Sequence, residues 1–470
     1  MIRRTTFAGA LCICLLVRAA GAQWRANPYL LLDETLISSV DNLDRQVQHP
    51  ARLPEPIVDA EHDQCFQPFM TIVQDPQSHR FRMWYGIPFT PRNEDASALA
   101  LIESEDGIHW VRPHRVCDTP PIQFGASVID EGPDYKDAST RYKFGWWQGG
   151  GLQVAGSADG ITFKKLAAGP VITIKHDLCG IEWDPIHKRY MGLVSNYVKL
   201  EPSWEGKRRT PHMSVSDDLV HWREPWITVT SDPRSAREND DVQFYGLAGV
   251  LPRGDLLVGM VKILRDDLNS EPGLDAKQLG DMKRGFSGLG YTVLVWSRDG
   301  EHWNRDTDPF LDRNPKPGTW DHAHTWGDDQ VPVGDEVFIY YGGYRFGHKG
   351  DRFANRQIGL ARMRRDRYVA YVAAGEYPGH IRTIVAPLEA DRLTVNAAVE
   401  GELRVRVCDE SGKAIPGFDY DDCQPITGDS LAAPVTWKKD LASLKGQKVQ
   451  FIFTLTRGKL CAFDLATASH

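Results

Sequence analysis

Beyond its amino terminus, the 470-residue sequence lacks any long hydrophobic run. The one marked apolar stretch is residues 7–17, which follows Arg3 and Arg4 and precedes the small residues 20–22. Such a stretch is too short to cross a bilayer, and its flanks are typical of a secretory signal peptide. We therefore expect residues 1–22 to be a signal peptide cleaved after Ala22. The protein would then be secreted or periplasmic, with no membrane insertion.

The sequence also lacks an excess of positive charge. It has 55 Lys and Arg against 63 Asp and Glu, which gives a formal net charge of -8. An acidic surface argues against nucleic acids and anionic membranes as partners. The sequence thus predicts no nucleic-acid partner, and it leaves the oligomeric state open.

Cysteine is sparse, and no pair has the C-x-x-C spacing of a zinc site. Six of the eight cysteines follow the expected cleavage site: Cys65, Cys117, Cys179, Cys408, Cys423 and Cys461. Export would permit disulfides, but a chain of this length can hold its core without them. Disulfides and buried free cysteines both remain open, and no pair is singled out.

What the sequence does contain is a heptapeptide written four times, at residues 104–110, 157–163, 216–222 and 297–303. Three copies carry Asp-Gly, the strongest short signal for a β-hairpin with a type I′ turn. The copies recur at intervals of roughly 50–80 residues, which suits four-stranded propeller blades that carry loop insertions.

Short β-type runs recur in the same order around these heptapeptides, and we count five units. We therefore predict an all-β fold, with a five-bladed β-propeller at residues 59–375 and a small β-sandwich at residues 376–470. Residues 23–58 are expected to be a linker with a short helix near residues 33–43. Residues 264–288 are expected to be an insertion in the fourth blade.

In a propeller, polar residues near the innermost strand of each blade converge on one central pocket. Two converging carboxyl groups are what glycoside hydrolysis requires, one as acid and one as base or nucleophile. The candidate catalytic residues are Asp63, Asp177, Glu182, Glu238 and Asp241. The alternative for each is that it caps a turn by accepting backbone N–H bonds.

Aromatic, imidazole and guanidinium side chains near the same strand ends could bind sugar. The candidate substrate-binding residues are His62, Trp147, His176, Trp204, Asp321, His322, Trp326 and Arg345. Packing within the blades is the alternative for the tryptophans, and pairing with aspartate is the alternative for the arginine. No cofactor or metal is expected, although carboxylates could hold a structural calcium ion.

Three motifs carry a resemblance to a known group of enzymes. They are an Asp-Pro turn after an inner strand at residues 184–185, Tyr-Tyr-Gly-Gly at residues 340–343, and the repeated heptapeptide. Together they resemble the five-bladed propeller glycosidases of glycoside hydrolase families 43 and 32, over about residues 59–375. The tail, with residues 392–396 and 423–429, is similar to the β-sandwich that follows such propellers in exported bacterial proteins.

The resemblance implies one acidic residue in each of the first three blades: a base or nucleophile, a pKa-tuning Asp and an acid Glu. Asp63 matches the first role by position, and Glu182 or Asp177 matches the third. The second blade departs from the pattern, because the region of Gln123 has no carboxylate. The Trp-x-Asn-Asp-Pro signature of family 32 is also absent.

We therefore expect a secreted glycoside hydrolase that uses paired carboxylates to cleave a poly- or oligosaccharide. A non-catalytic carbohydrate-binding propeller is the alternative from a different class. A sialidase-like enzyme is a further alternative, disfavoured because the heptapeptide is one residue shorter than the sialidase Asp-box and no arginine triad is evident.

Overall fold

The computed structural model describes residues 22–89, 96–199, 207–230, 242–265, 288–348 and 352–467. The expectation of an all-β fold is confirmed: within these ranges the α-helix is limited to the four residues Arg352–Asn355. No helix in the described ranges is long and apolar enough to span a membrane. The expected insertion at residues 264–288 lies almost wholly outside the described residues.

Four short strands come first, with no α-helix among them. They are β1 (Asn27–Leu30), β2 (Ile37–Asp41), β3 (Asp44–Val47) and β4 (Ala51–Arg52). The helix expected near residues 33–43 is therefore wrong. In its place Asp33 caps a single 3₁₀ turn at Glu34–Leu36, and β2 begins directly after it.

Two antiparallel sheets follow, each a meander in which consecutive strands are neighbours, except that the last strand of the second sheet pairs with its third strand. The first contains β5 (Gln67–Gln74), β6 (Phe81–Pro88), β7 (Ser97–Ser104) and β8 (Arg115–Val116). The second contains β9 (Phe124–Asp130), β10 (Tyr142–Trp147), β11 (Gly151–Ser157), β12 (Lys164–Lys165) and β13 (Ile172–Thr173).

Three further meanders repeat this plan. The third contains β14 (Cys179–Asp184), β15 (Arg189–Val198), β16 (Arg208–Ser216) and β17 (Trp226–Ile227). The fourth contains β18 (Val242–Arg253), β19 (Leu256–Arg265), β20 (Leu289–Ser297) and β21 (Asn304–Arg305). The fifth contains β22 (His324–Val333), β23 (Glu336–Tyr344) and β24 (Arg356–Arg364), and it is linked to the fourth by a parallel bridge between Gly290 and His324.

The fifth meander takes its fourth strand from the other end of the chain, because β4 pairs with β24 through Arg52 and Ala361. The first strand of every meander lines one central cavity. We call β5, β9, β14, β18 and β22 the inner strands.

The remaining strands form one ten-stranded sheet. Its carboxy-terminal members are β25 (Val369–Ala373), β26 (Gly379–Thr383), β27 (Ala386–Pro387), β28 (Arg392–Cys408), β29 (Ile426–Pro434), β30 (Lys448–Leu455) and β31 (Gly458–Ala466). The others are β1, β2 and β3, which pair with β31, β26 and β25. Trp24 is buried in the core of this sheet against Phe451 and Phe463. Residues 23–58 are thus built into the sheets and are not a free linker.

The cysteines outside the expected signal peptide are all buried and free. The structure therefore favours the second of the two alternatives left open by the sequence. No disulfide constrains the fold in the described ranges.

The heptapeptide forms a compact loop, and the predicted type I′ turn is wrong. Type I′ requires positive φ at both central residues, but in the first copy only Gly107 is positive, at +74°. Ser104 Oγ instead accepts the Gly107 N–H at 2.9 Å. Asp106 Oδ1 accepts the N–H groups of Ile108 and His109. In the third copy Leu219 holds the glycine position with φ +68°.

Two of the loops also contact a neighbouring sheet through the carbonyl group of their glycine. The Tyr340 hydroxyl of β23 donates to the Gly107 carbonyl at 3.0 Å, and the Trp84 indole of β6 donates to the Gly160 carbonyl at 2.7 Å. The heptapeptides thus join adjacent sheets as well as closing their own hairpins.

We expect Gly107→Ala to destabilise the fold more than Gly132→Ala. Both glycines have positive φ, but a Cβ at position 107 would lie 2.6 Å from the Tyr340 hydroxyl, whereas a Cβ at position 132 meets nothing within 4 Å. The left-handed strain is common to both variants, so the steric contact should add about 1–3 kcal/mol at Gly107. Urea unfolding of the two variants measures the difference, and equal losses would contradict the contact.

Candidate active site

The central cavity has a volume of about 230 Å³ and is lined by all five inner strands. Most of the residues that line it have apolar side chains or are glycine, which agrees with strands that are buried on both faces. Its charged residues are Asp130, Glu182, Lys262, Asp328 and Asp329. Asp130 is bound on both carboxylate oxygens by Arg141, at 2.6 and 2.7 Å. The other four lie on the third, fourth and fifth sheets.

Glu182 projects from β14 toward β18. Its two carboxylate oxygens accept the N–H groups of Gly249 and Val250, each at 2.7 Å. Burial raises the pKa of Glu182 to about 7, and the charge of Asp328 adds to this, while the two backbone bonds and Lys262 oppose it. A carboxyl group with such a pKa exchanges protons near neutral pH.

Asp328 and Asp329 are consecutive, yet both contact β5. In a regular strand they would face opposite sides, but the register of β22 shifts between Gly327 and Asp329, as in a β-bulge. Asp328 forms an ion pair with Lys262 and accepts the Met70 N–H at 2.7 Å.

Asp329 accepts the Ile72 N–H at 2.6 Å. Burial raises the pKa of Asp329 well above its usual range, and the nearby Glu182 carboxylate adds to this effect. Asp329 is thus a second desolvated carboxyl group in the same cavity.

Similar bonds connect the other inner strands. The Thr71 hydroxyl of β5 donates to the Ala126 carbonyl of β9, and the Ser127 hydroxyl of β9 donates to the Ile181 carbonyl of β14. Gln330 of β22 donates to the Gly249 carbonyl of β18 at 2.6 Å. We call the side chains that bridge inner strands the inner ring: Thr71, Ser127, Glu182, Asp328, Asp329 and Gln330.

A second group of polar and aromatic residues lies around the starts of the inner strands of the third, fourth and fifth sheets. We call it the strand-start cluster, and its members are His176, Asp177, Arg209, Tyr245, His324, Trp326 and His348. Leu178 packs against Tyr245 and Trp326 and also lines the cavity. The cluster therefore lies directly beside the cavity.

Arg209 is the centre of this cluster. Its guanidinium lies 3.5 Å from the centroid of the Tyr245 ring, donates to His176 Nε2, and is 3.5 Å from Asp177 Oδ1. Burial opposes ionisation of Asp177, but its contacts with His176 and Arg209 outweigh this and lower the pKa of Asp177. The Tyr245 ring also stacks on Trp326, with a centroid separation of 4.6 Å.

The structure brings Asp177, His176 and Trp326 together, and it places Glu182 in the adjoining cavity. Asp63 is not part of either group. It is 1% exposed, and Arg112 donates to its two oxygens at 2.7 and 2.6 Å. Its geometry is that of a buried ion pair.

Asp321 and His322 also lie outside the cavity wall. Asp321 accepts bonds from Asn314 and from the Tyr341 hydroxyl, at 2.9 and 3.0 Å. His322 Nδ1 is 2.7 Å from the Asn314 carbonyl. Both residues anchor the loop that precedes β22.

The other predicted binding residues are scattered. His62 is exposed and contacts Asp59, which raises the pKa of His62. Trp147 is half-buried against Phe124, and Arg345 is exposed beside Phe346. Glu238, Asp241 and Trp204 lie outside the described residues.

Sequence reasoning missed Lys262 and Arg209, which have no motif around them. Each lies on the second or third strand of its meander, away from the inner-strand ends where candidates were sought. A charged residue within an otherwise apolar strand, such as Lys262 between Val261 and Ile263, is the one signal that could have found it. Within the described ranges, no three His, Cys, Asp or Glu side chains are grouped so as to hold a metal ion.

Neither a family model nor a curated protein matches the chain. Solved structures do, and the chain is similar to glycoside hydrolases of family 43 and related proteins. One is an arabinoxylan arabinofuranohydrolase of family 43 from Bacillus subtilis, in complex with cellotetraose. It has 10% identity and a TM-score of 0.39, covering 88% of this chain and 99% of that chain.

Two other solved structures show the range of these neighbours. An exo-β-1,3-galactanase from Phanerochaete chrysosporium, with β-1,3-galactotriose, has 9% identity and a TM-score of 0.41, over 89% of this chain and 100% of that chain. An N-acetylgalactosamine deacetylase from F. plautii, in complex with blood group B trisaccharide, has 16% identity and a TM-score of 0.43, over 69% and 96%.

We expect Glu182→Gln to change how stability depends on pH. Because the folded-state pKa is raised from 4.5 to about 7, the folded protein holds the extra proton between these values. The stabilisation from Glu182 is therefore complete below pH 4.5 and is lost as pH rises through about 7. The Tm difference between wild type and Glu182→Gln should accordingly fall across this window.

Glu301→Gln is the matched control, with the opposite sign. The ion pairs of Glu301 with Arg223 and Arg189 lower its pKa. Its stabilisation is present above its unfolded-state pKa and is lost as pH falls. A pH-independent Tm difference for Glu182→Gln would contradict a raised pKa for Glu182.

Proposed function

We propose that this chain is a secreted glycoside hydrolase that cleaves a glycosidic bond in a poly- or oligosaccharide at the central cavity. One observation carries the proposal. A carboxyl group whose pKa is raised to about 7, Glu182, shares the cavity with Asp328, a carboxylate ion-paired with Lys262. A carboxyl group that holds a proton near neutral pH, with a second carboxyl group in the same cavity, is the arrangement that glycoside hydrolysis uses.

As part of the proposal, the five meanders are the blades of a five-bladed propeller, and the ten-stranded sheet is a β-sandwich. Support comes from the five inner strands around one cavity and from β4, which completes the fifth meander from the amino-terminal side. Such a strand joins the two ends of the propeller, as ring closure requires. The domain boundaries at residues 59, 375 and 376 remain predictions.

Export is likewise part of the proposal. Trp24, two residues after the expected cleavage site, is buried, and its backbone N–H donates to the Pro387 carbonyl. Cleavage after Ala22 would leave this contact intact. Mass spectrometry of the mature protein should find Gln23 as the first residue.

In the proposed reaction, Glu182 and Asp328 each have one role. Protonated Glu182 gives its proton to the glycosidic oxygen, and the bond from that oxygen to the anomeric carbon breaks. Asp328 acts on the anomeric carbon, either by accepting a proton from the attacking water or by forming a transient ester that water then hydrolyses. Lys262 holds Asp328 in place through their ion pair.

A non-catalytic carbohydrate-binding propeller is the second candidate function, and a specific observation favours it. Glu182, Asp328 and Asp329 all accept hydrogen bonds from backbone N–H groups. Asp328 also forms an ion pair with Lys262. Carboxylates used in this way brace the inner strands without any need for catalysis. A sialidase-like enzyme has no such supporting observation.

We expect Glu182→Gln and Asp328→Asn each to lower kcat by about 100-fold or more, since each removes a proton-transfer or charged group from the reaction. The measurement is hydrolysis of a panel of aryl glycosides and plant and algal polysaccharides. Asp366→Asn is the matched control, because Asp366 is a buried carboxylate paired with Arg253 outside the cavity.

Three outcomes separate the candidate functions. Loss of turnover with sugar binding retained supports the hydrolase. Glycan binding by a wild-type protein that hydrolyses nothing supports the binding module. Turnover of Glu182→Gln equal to that of Asp366→Asn, after correction for folded fraction, would exclude this site.

A further inference from the structure

We propose that Arg209 and His324 form a recognition site for the oxyanion of an acidic sugar, either the carboxylate of a uronic acid or a sulfate ester. The substrate of the proposed hydrolase would then be an anionic glycan. The inference rests on the proposed function for what is cleaved, but the binding step stands independently of it.

The first observation is an incompletely bonded guanidinium. Arg209 is 4% exposed, and its Nε and one terminal nitrogen have no hydrogen-bond partner. The remaining nitrogen donates to His176, and Asp177 lies 3.5 Å away. Leaving buried donors unpaired is costly, so their retention points to a ligand that accepts from them. The nitrogen bonded to His176 lies between the two unpaired ones, so its second N–H completes an edge with one of them. Such an edge matches a carboxylate or sulfate through paired N–H bonds.

The second observation is a buried imidazole without partners. His324 is fully buried, and neither ring nitrogen has a hydrogen-bond partner. Burial lowers the pKa of His324 well below its usual range, and the nearby Arg356 adds to this. The neutral ring offers one N–H donor and one acceptor, which suits an oxyanion beside a sugar hydroxyl.

The position of His324 is fixed by its surroundings. A Cβ at Gly290 would lie 2.2 Å from the imidazole, so only glycine permits this placement of the ring. Trp326 and Tyr344 contact the other sides, with ring centroids 4.8 and 4.7 Å away. The His324 ring is thus fixed in position while its two nitrogens have no hydrogen-bond partner, which leaves them available to bind a ligand.

Arg209 and His324 belong to one connected group. Tyr245 stacks on both Arg209 and Trp326, and its hydroxyl is 2.8 Å from His348 Nε2. The His348 ring lies 5.9 Å from that of His324. Flat aromatic faces beside a cationic edge are what a charged sugar ring requires.

The charges of the cluster favour an anion. Two cationic groups lie in or beside it: Arg209, which is 3.5 Å from the carboxylate of Asp177, and Arg356, whose charge acts on His324. That carboxylate is shared, because Asp177 Oδ1 also lies 2.5 Å from Nδ1 of His176. Burial lowers the pKa of His176, and the Asp177 backbone N–H donates to its Nδ1 at 2.9 Å, while Arg209 donates to its Nε2.

The test is calorimetric titration of the full mature chain with methyl β-glucuronide, galactose 6-sulfate and methyl β-glucoside. We expect the wild type to bind one of the two anions. Binding of the glucuronide would identify a carboxylate site, and binding of the galactose sulfate would identify a sulfate site. Arg209→Met should weaken anion binding by about 10–100-fold, the loss expected for paired charge-assisted bonds. Arg209→Lys should recover part of it, since it keeps the charge but loses the fork.

Arg223→Met is the matched control, because Arg223 also stacks on an aromatic ring, that of Trp226, but is exposed and remote from the cluster. It should leave anion binding unchanged. If Arg209→Met does not fold, the wild-type affinity for the anion should still fall as salt is raised, while glucoside binding should not.

The inference is overturned if the wild type binds neither anion, or if it binds the neutral glucoside as well as the anions. It is also overturned if Arg209→Met binds the anion as the wild type does. Its failure is distinct from failure of the proposed function. Anion binding by a protein that hydrolyses nothing would refute the hydrolase alone, whereas hydrolysis of neutral glycans only would refute the anion site alone.

Discussion

The structure depends on how neighbouring inner strands are held together. The five inner strands belong to five different meanders, and no β-ladder joins one to the next. Their spacing is set instead by the inner ring, in which side chains such as Thr71, Glu182 and Asp329 bond to the backbone of the next strand. Without these bonds, buried N–H and C=O groups along the cavity would be unpaired, at a cost of about 1–3 kcal/mol each.

Because the cavity carboxylates bridge inner strands, the same contacts that hold the strands together also affect the pKa values of these groups. The N–H groups that hold Glu182 in place stabilise its charged form, while the desolvation that comes with the same position favours its neutral form. Desolvation wins, and the result is a group that changes charge near neutral pH. Asp328 has the same scaffold role but a different partner, since it forms an ion pair with Lys262.

The sequence predicted what depends on local pattern. The heptapeptides and alternating runs indicated the all-β class, and Glu182 became a candidate because it lies on a predicted inner strand, which the structure places at the cavity. Asp63 was misjudged because its partner, Arg112, lies on a distant loop. The contact of both Asp328 and Asp329 with β5 depends on a bulge, and the pairing of β1–β3 depends on strands more than three hundred residues later. Neither leaves a local trace in the sequence.

The pairing of the two chain ends has a consequence for biogenesis. Asn27 pairs with Leu465, and Ala51 pairs with Arg362, so the earliest strands have no partners until nearly the whole chain is available. Contacts so distant in sequence form slowly. A chain exported from its amino terminus would therefore emerge with its first strands unpaired, and both the ten-stranded sheet and the fifth meander would be completed only after translocation has finished. If the chain is exported as proposed, delayed closure of this kind would keep it threadable and would make its exposed early strands the segment most in need of a chaperone.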